Sequence, residues 1–166
     1  LNGGFIMAIN FGDSSIQTFS SKIIQVKRSL RTSQITTTSS TMTDVENIDF
    51  TPKSASSRIH CEFTGCAYQS EEPGGMRGRF YDATDSNRFG TSLGTEDPLL
   101  FRFDLQQLSD GDIYAYAGVI WRADEASWGA GTSKTIKFQI SNSGNGSSGF
   151  LSDHLPATFT ITEVME

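Results

Sequence analysis

Apolar and polar residues alternate along much of this chain. In PLLFRFDLQ, Leu99, Phe101, Phe103 and Leu105 fall on one side of an extended backbone, and Leu100, Arg102 and Asp104 on the other. Successive side chains of a strand leave opposite faces, so a period of two marks a strand with one buried face. In DIYAYAGVIWRA the same period groups Ile113, Ala115, Ala117, Val119 and Trp121 against Tyr114, Tyr116, Ile120 and Arg122. It turns Ile136, Phe138 and Ile140 of TIKFQIS inward, with Lys137 and Gln139 outside. It also groups Ile59, Cys61 and Phe63 of SRIHCEF, and sets Phe159 and Ile161 of ATFTITEV against a threonine face. Fainter alternation predicts further strands over 23–29, 33–38, 42–50, 76–83 and 86–92. Helical spacing of apolar residues is sustained nowhere, and LQQLSDG has room for one helical turn at most.

Turn signals punctuate these segments. Ser109-Asp110-Gly111-Asp112 suits a tight hairpin, and Glu71-Glu72-Pro73-Gly74-Gly75 a second turn. Residues 141–149 (SNSGNGSSG) read as a long mobile loop with no side chain to pack. The Ser/Thr run 36–43 is an edge strand or a loop. Many short strands without helices predict an all-β fold. The expected architecture is an antiparallel, jelly-roll-like β-sandwich over 22–166, preceded by an extended N-terminal arm over 1–21.

Composition narrows the picture. The 166 residues suit one domain, and twelve Phe provide bulky core material. A net charge of -6 repels phosphate backbones, which argues against nucleic-acid binding. In the one basic stretch, KIIQVKRSLR, cations mostly alternate with apolar residues, which reads as the wet face of a strand. The first six residues carry no Lys or Arg, so nothing resembles an export signal, and no stretch approaches the ~20 apolar residues of a membrane helix. These features predict a protein made in a cytoplasm, with no membrane partner. Cys61 and Cys66 are five residues apart in one strand, too far for a disulfide without a sharp bend at Gly65, so both thiols are expected free. The Thr-rich strands suit outer walls or wet subunit contacts. The second face of Ile113 to Ala123 is large and largely uncharged, which suits either a strand central to the sandwich or a subunit contact.

Candidate chemistry is thin. His60 lies mid-strand and His154 precedes Pro156, and neither has the spacing of a nucleophile–base pair. Cys61, Cys66 and a histidine lack paired zinc-ligand spacing, and GNGSSG lacks the Lys of a phosphate cradle. Asp82, Asp85 and Asn87 resemble a fragment of a calcium loop but miss its final glutamate, so a turn is the plainer reading. The pairs Glu71-Glu72, Glu96-Asp97 and Asp124-Glu125 sit in turn-like regions and read as solvated loop charge. The sequence therefore predicts no catalytic residue, no metal and no cofactor.

One further pattern points to a family. Ile23 to Val26 (IIQV) leads to the Thr/Ser run 36–41. Then follow Thr41 to Val45 (TMTDV), Ile48 to Pro52 (IDFTP) and Ala55 to Ile59 (ASSRI). KTIKFQIS, a Gly/Ser/Asn loop and TFTITEVM close the chain, and MAINFGDSSIQ looks like a gene opening. This order resembles a module of tailed-bacteriophage virion proteins, over most of Lys22 to Glu166. The resemblance implies a jelly-roll-like sandwich assembled as a trimer on the virion, in a capsid-decoration (cement) or tail-fibre protein.

These observations favour a non-enzymatic virion protein that decorates and stabilises a capsid. Its expected partners are itself, as a homotrimer, and the major capsid protein or another virion protein. Phe5, Ile6, Ile9 and Phe11 are the expected partner-binding residues of the arm, with Met7 the preferred natural start. The alternative is a tail or head fibre that binds a host receptor or glycan, with Trp128 in SWGAGTS as its exposed loop aromatic. Such a Trp also serves commonly as a loop anchor.

Overall fold

A computed structural model of the chain describes residues 22–70, 74–89, 101–105, 116–144, 146–150 and 156–165. All regular structure among them is β. The strands are β1 (Lys22–Arg31), β2 (Ile35–Thr37), β3 (Thr43–Phe50), β4 (Ser57–Gln69), β5 (Gly74–Asp82) and β6 (Asn87–Arg88). They continue with β7 (Phe101–Leu105), β8 (Tyr116–Ala126), β9 (Lys134–Asn142), β10 (Ser148–Phe150) and β11 (Ala157–Met165). Every pairing between them is antiparallel. Two sheets form, one of six strands and one of five, and they pack face to face as the sandwich that the alternation predicts.

β4 organises the six-stranded sheet. β8 runs along one of its sides. On the other, β11 pairs with residues 57–64 and β10 with residues 67–69, so β10 and β11 act as two pieces of one interrupted strand. β1 lies outside β11, and β2 outside β10. In the second sheet β9 lies between β3 and β5, and β5 carries β6 and β7 on its far side.

Phenylalanines join the sheets. Phe63 of β4 stacks on Phe138 of β9 with ring centroids 4.0 Å apart, and Phe150 of β10 meets Phe63 at 4.9 Å. Phe80 of β5 and Phe159 of β11 stack at 5.7 Å. Ile59, Cys61, Ile136, Ile140 and Ile161 fill the remainder, on the faces that the period of two assigns to them. Cys61 and Cys66 are both buried thiols not joined in a disulfide, and burial pushes the Cys61 thiol well above its ordinary pKa. In β8 the register shifts between the partners of Gly65 and Ala67, which puts Tyr116 opposite Ala67 and breaks the uninterrupted alternation expected there.

The stretch 141–149 is not the long loop that its composition suggests. Ser141 and Asn142 finish β9, and Ser148 to Phe150 form β10 between β2 and β4. The Asn142 amide donates to the carbonyls of Gly144 (2.8 Å) and Gly146 (2.9 Å), while Ser148 Oγ donates to Asn142 Oδ1 (2.9 Å). Buried polar side chains thus organise what small residues alone could not. Gly149 faces β2 so closely that a Cβ would lie 1.9 Å from the Ile35 carbonyl oxygen.

Glu163 takes a position that the alternation reserves for an apolar residue, and its exposure is 0%. Lys53 N (3.0 Å), Ser54 N (2.9 Å) and Ser57 Oγ (2.7 Å) donate to its carboxylate, and so does Gln25 Nε2 (2.7 Å). Burial pushes this carboxyl up, but the donors outweigh it and hold the group below its ordinary pKa.

β1 and β3 are the edge strands on one flank of the sandwich. Side chains of β1 reach across to the unpaired carbonyls of β3 and the residue after it. Arg31 Nη1 donates to Val45 O (2.7 Å), Lys27 Nζ to Asp49 O (2.6 Å) and Gln25 Nε2 to Thr51 O (2.7 Å). The partner number rises by the same step as the donor number falls, so the rungs keep one antiparallel register. This ladder fixes which way β1 faces. Gln25, Lys27 and Arg31 turn toward the other sheet, and Ile23, Val26 and Leu30 are left outside.

Two outcomes test this account. Gly149→Ala should cost more than about 3 kcal/mol, because backbone on both sides leaves no room to relax; a denaturation midpoint near that of the native chain would contradict it. Glu163→Gln should cost about 2–3 kcal/mol at neutral pH by setting an amide against donors. Because the folded pKa is lowered, the carboxylate's contribution is present above the ordinary carboxyl value and lost as pH falls through the folded one. The stability gap between native and variant, read by urea denaturation, should therefore narrow below about pH 4.

Candidate functional site: the outer face of the six-stranded sheet

β1, β11, β4 and β8 present a common outer face, and pairing aligns its residues in rows. Val26 lies opposite Thr162, then His60, then Asp124. Arg28 leads to Thr160, Glu62 and Arg122, and Ile23 to Val164, Arg58 and Ala126. The row of Leu30 continues with Thr158 and Thr64.

The β1 end of this face is apolar and uncovered. Ile23, Val26 and Leu30 are 61%, 51% and 58% exposed. The basic stretch was expected to be the wet face of a strand, and Lys22, Lys27 and Arg28 are exposed. Lys27 and Arg31 are also tied to the opposite sheet, and the apolar side of the strand meets solvent as well. The long donors of the ladder have backbone carbonyls to satisfy, and that requirement outranks the burial of three apolar side chains at a sheet edge.

The β8 end is charged and internally paired. Arg122 Nε donates to Glu62 Oε2 (2.6 Å), and Arg58 pairs with Asp124. Between the two ends a depression of about 370 Å³ is lined by His60, Glu62, Arg122, Asp124, Thr160 and Thr162. Thr162, His60 and Asp124 stand in one row, the residue types of a nucleophile, a base and its orienting acid. Among the described residues no hydrogen bond links His60 to either, and Asp124 is engaged by Arg58. The row therefore lacks the relay that such catalysis needs.

The calcium-loop fragment is a hairpin turn between β5 and β6. Asp82 Oδ1 accepts from the N–H groups of Thr84 (2.9 Å) and Asp85 (3.2 Å). Lys134 Nζ lies 2.7 Å from Asp82 Oδ2 and 2.5 Å from Asp85 Oδ2, so an ammonium group stands where a cation would bind. Burial lowers the Lys134 pKa, but the two carboxylates more than offset it and raise the pKa overall. Among the described residues no cluster of His, Cys, Asp and Glu could hold a metal ion.

Trp128 is partly buried against the end of the core. Its ring meets Phe50 and Phe89 edge-on at 6.1 and 6.2 Å, and Nε1 donates to Thr132 O (2.8 Å). Lys134 Nζ sits 5.3 Å from the ring centroid. Phe5, Ile6, Ile9 and Phe11 lie outside the described residues, as do His154, Asn145, Ile113, Tyr114 and the pairs Glu71-Glu72 and Glu96-Asp97.

The outer face of the five-stranded sheet differs in kind. Lys137 Nζ (2.5 Å) and Gln139 Nε2 (2.6 Å) donate to Asp44, and Arg79 Nε donates to Gln139 Oε1 (2.8 Å). Desolvation pushes the Asp44 carboxyl up, but these donors bring it below its ordinary pKa. Its described part has no strip like that on β1.

No family model matches the chain, and no curated protein matches it. Among solved structures, the crystal structure of the infectious bursal disease virus VP2 subviral particle aligns with 97% of this chain and 43% of that one, at 12% identity and a TM-score of 0.40. This chain thus spans less than half the length of that protein, and so loose a likeness adds nothing to what the strand order already shows.

The Asp82–Lys134–Asp85 cluster generates one outcome. Neither millimolar calcium nor a chelator should shift the melting temperature, since the carboxylates already have their cation. A calcium-dependent rise of several degrees would contradict that.

Proposed function

We propose that this chain is a non-enzymatic structural protein of a tailed-bacteriophage virion, a trimeric decoration protein that stabilises the capsid by contacts between neighbouring subunits. One observation carries the reading: the accessible face of the six-stranded sheet is an apolar strip bordered by internally paired charges. That is the composition of a contact surface, with an apolar part and a polar rim. The order of motifs from Ile23 to Ile59 supports the phage assignment, and Gln25 of IIQV, the turn after IDFTP and Ser57 of ASSRI meet TITEVM at Glu163.

In this reading the chain is made in the host cytoplasm and takes its place on the virion. The arm, through Phe5, Ile6, Ile9 and Phe11, reaches the major capsid protein or another virion protein. Each copy removes apolar surface from water at ~25 cal/mol per Å², and a trimer multiplies weak contacts by three. The fibre reading has less support, because Trp128 is engaged with Phe50, Phe89, Thr132 and Lys134 and so has a structural task of its own.

Particles assembled with and without this protein provide the test. Those lacking it should release DNA at a lower temperature, and adding the purified chain back should restore the difference. Equal release temperatures, or loss of host adsorption alone, would overturn the decoration role.

A further inference from the structure

We infer that the β1 end of the outer face is a self-association surface, covered in solution by a second copy of this chain. The inference extends the reading as an assembly protein but stands on the face itself. Ile23, Val26 and Leu30 are each more than half exposed on one strand, with Val164 beside Ile23. A strand added to the β1 edge would lie beside these side chains and leave them in water. Only a body laid across the sheet covers them.

Charge points to what that body is. The chain carries a net charge of -6, so two copies repel on balance. The face formed by β1, β11, β4 and β8 is different. Among the described residues, Arg28, Arg58 and Arg122 share it with Glu62 and Asp124, and two of those arginines are paired with the two carboxylates. A copy of the same chain can therefore approach here without the general repulsion. Arg28, which has no ion pair among the described residues, lies between Val26 and Leu30, where a carboxylate of a neighbouring copy is attracted. The threonines of β11 between strip and ion pairs, Thr158, Thr160 and Thr162, suit a wet rim.

The ladder has a part in this. Because Gln25, Lys27 and Arg31 are bonded to β3, β1 cannot turn its apolar side inward when the copies separate. The strip is thus preformed, and association needs no refolding of the strand.

Light scattering on the full chain, across concentrations up to millimolar, tests the inference. The native protein should show a mass of two or more chains. Val26→Asp and Leu30→Asp, placed at solvent-exposed positions, should each raise the dissociation constant at least about tenfold, with the melting temperature of the dissociated chain unchanged. Should either aspartate variant fail to fold, Val26→Thr and Leu30→Thr retain strand preference and remove the apolar surface. Asn47→Asp, exposed on the other sheet, is the control and should leave the constant unchanged. A native mass of one chain at millimolar concentration overturns the inference, and so does an oligomer that the β1 variants leave intact. Uptake of Val26→Asp by particles separates the two readings: a dissociated variant that still stabilises particles keeps the decoration role, whereas a native oligomer that never binds particles keeps this surface and loses that role.

Discussion

A carboxylate with no cation beside it among the described residues, Glu163, holds together the segments that decide how the two sheets meet. Removing such a group from water is costly unless its oxygens are supplied with donors. Here the donors come from β1, from the turn after β3 and from the start of β4, while the carboxylate itself belongs to the last strand. Residues more than a hundred positions apart in the chain must arrive together before the charge is satisfied. The network thereby selects one register for β11 against both β1 and β4, since a slip of one residue would turn the carboxylate to the outside.

From that constraint the orientation of β1 follows. Gln25 serves both Glu163 and the Thr51 carbonyl, which places it on the inner side and brings Lys27 and Arg31 with it. Their bonds satisfy carbonyls that an edge strand would otherwise leave to water, and they close the flank between the two sheets. The exposed apolar strip is the remainder of this arrangement. The face proposed for assembly is the direct counterpart of the bonds that hold the sandwich shut.

Much of the core was legible in the order of residues. Phe63, Phe138, Phe159, Ile59, Ile136 and Ile161 occupy the side that a period of two assigns to them. Local alternation suffices there because burial is the only force acting on those side chains. It fails where a polar group has a distant partner. Glu163 reads as solvated until the turn at 53–57 is seen beside it, and Ser148 and Asn142 read as loop until Gln69 is seen to bond Ser148. In KIIQVKRSLR Lys22, Lys27 and Arg28 are exposed as expected, but Ile23, Val26 and Leu30 are exposed as well, because long donors at positions 25, 27 and 31 take the side toward the other sheet. Three long side chains at that spacing were the available signal, but their acceptors lie on another strand.

The interrupted strand has a consequence for how such a molecule can vary. Between Phe150, opposite Ala67, and Thr158, opposite Thr64, the chain advances eight residues while β4 advances three. The pairing on either side is complete without the residues between, because each flank is fixed separately to the same central strand. A longer or shorter connection between Phe150 and Ala157 therefore leaves both pairings as they are, and a foreign peptide inserted between β10 and β11 would meet no ladder that it has to break.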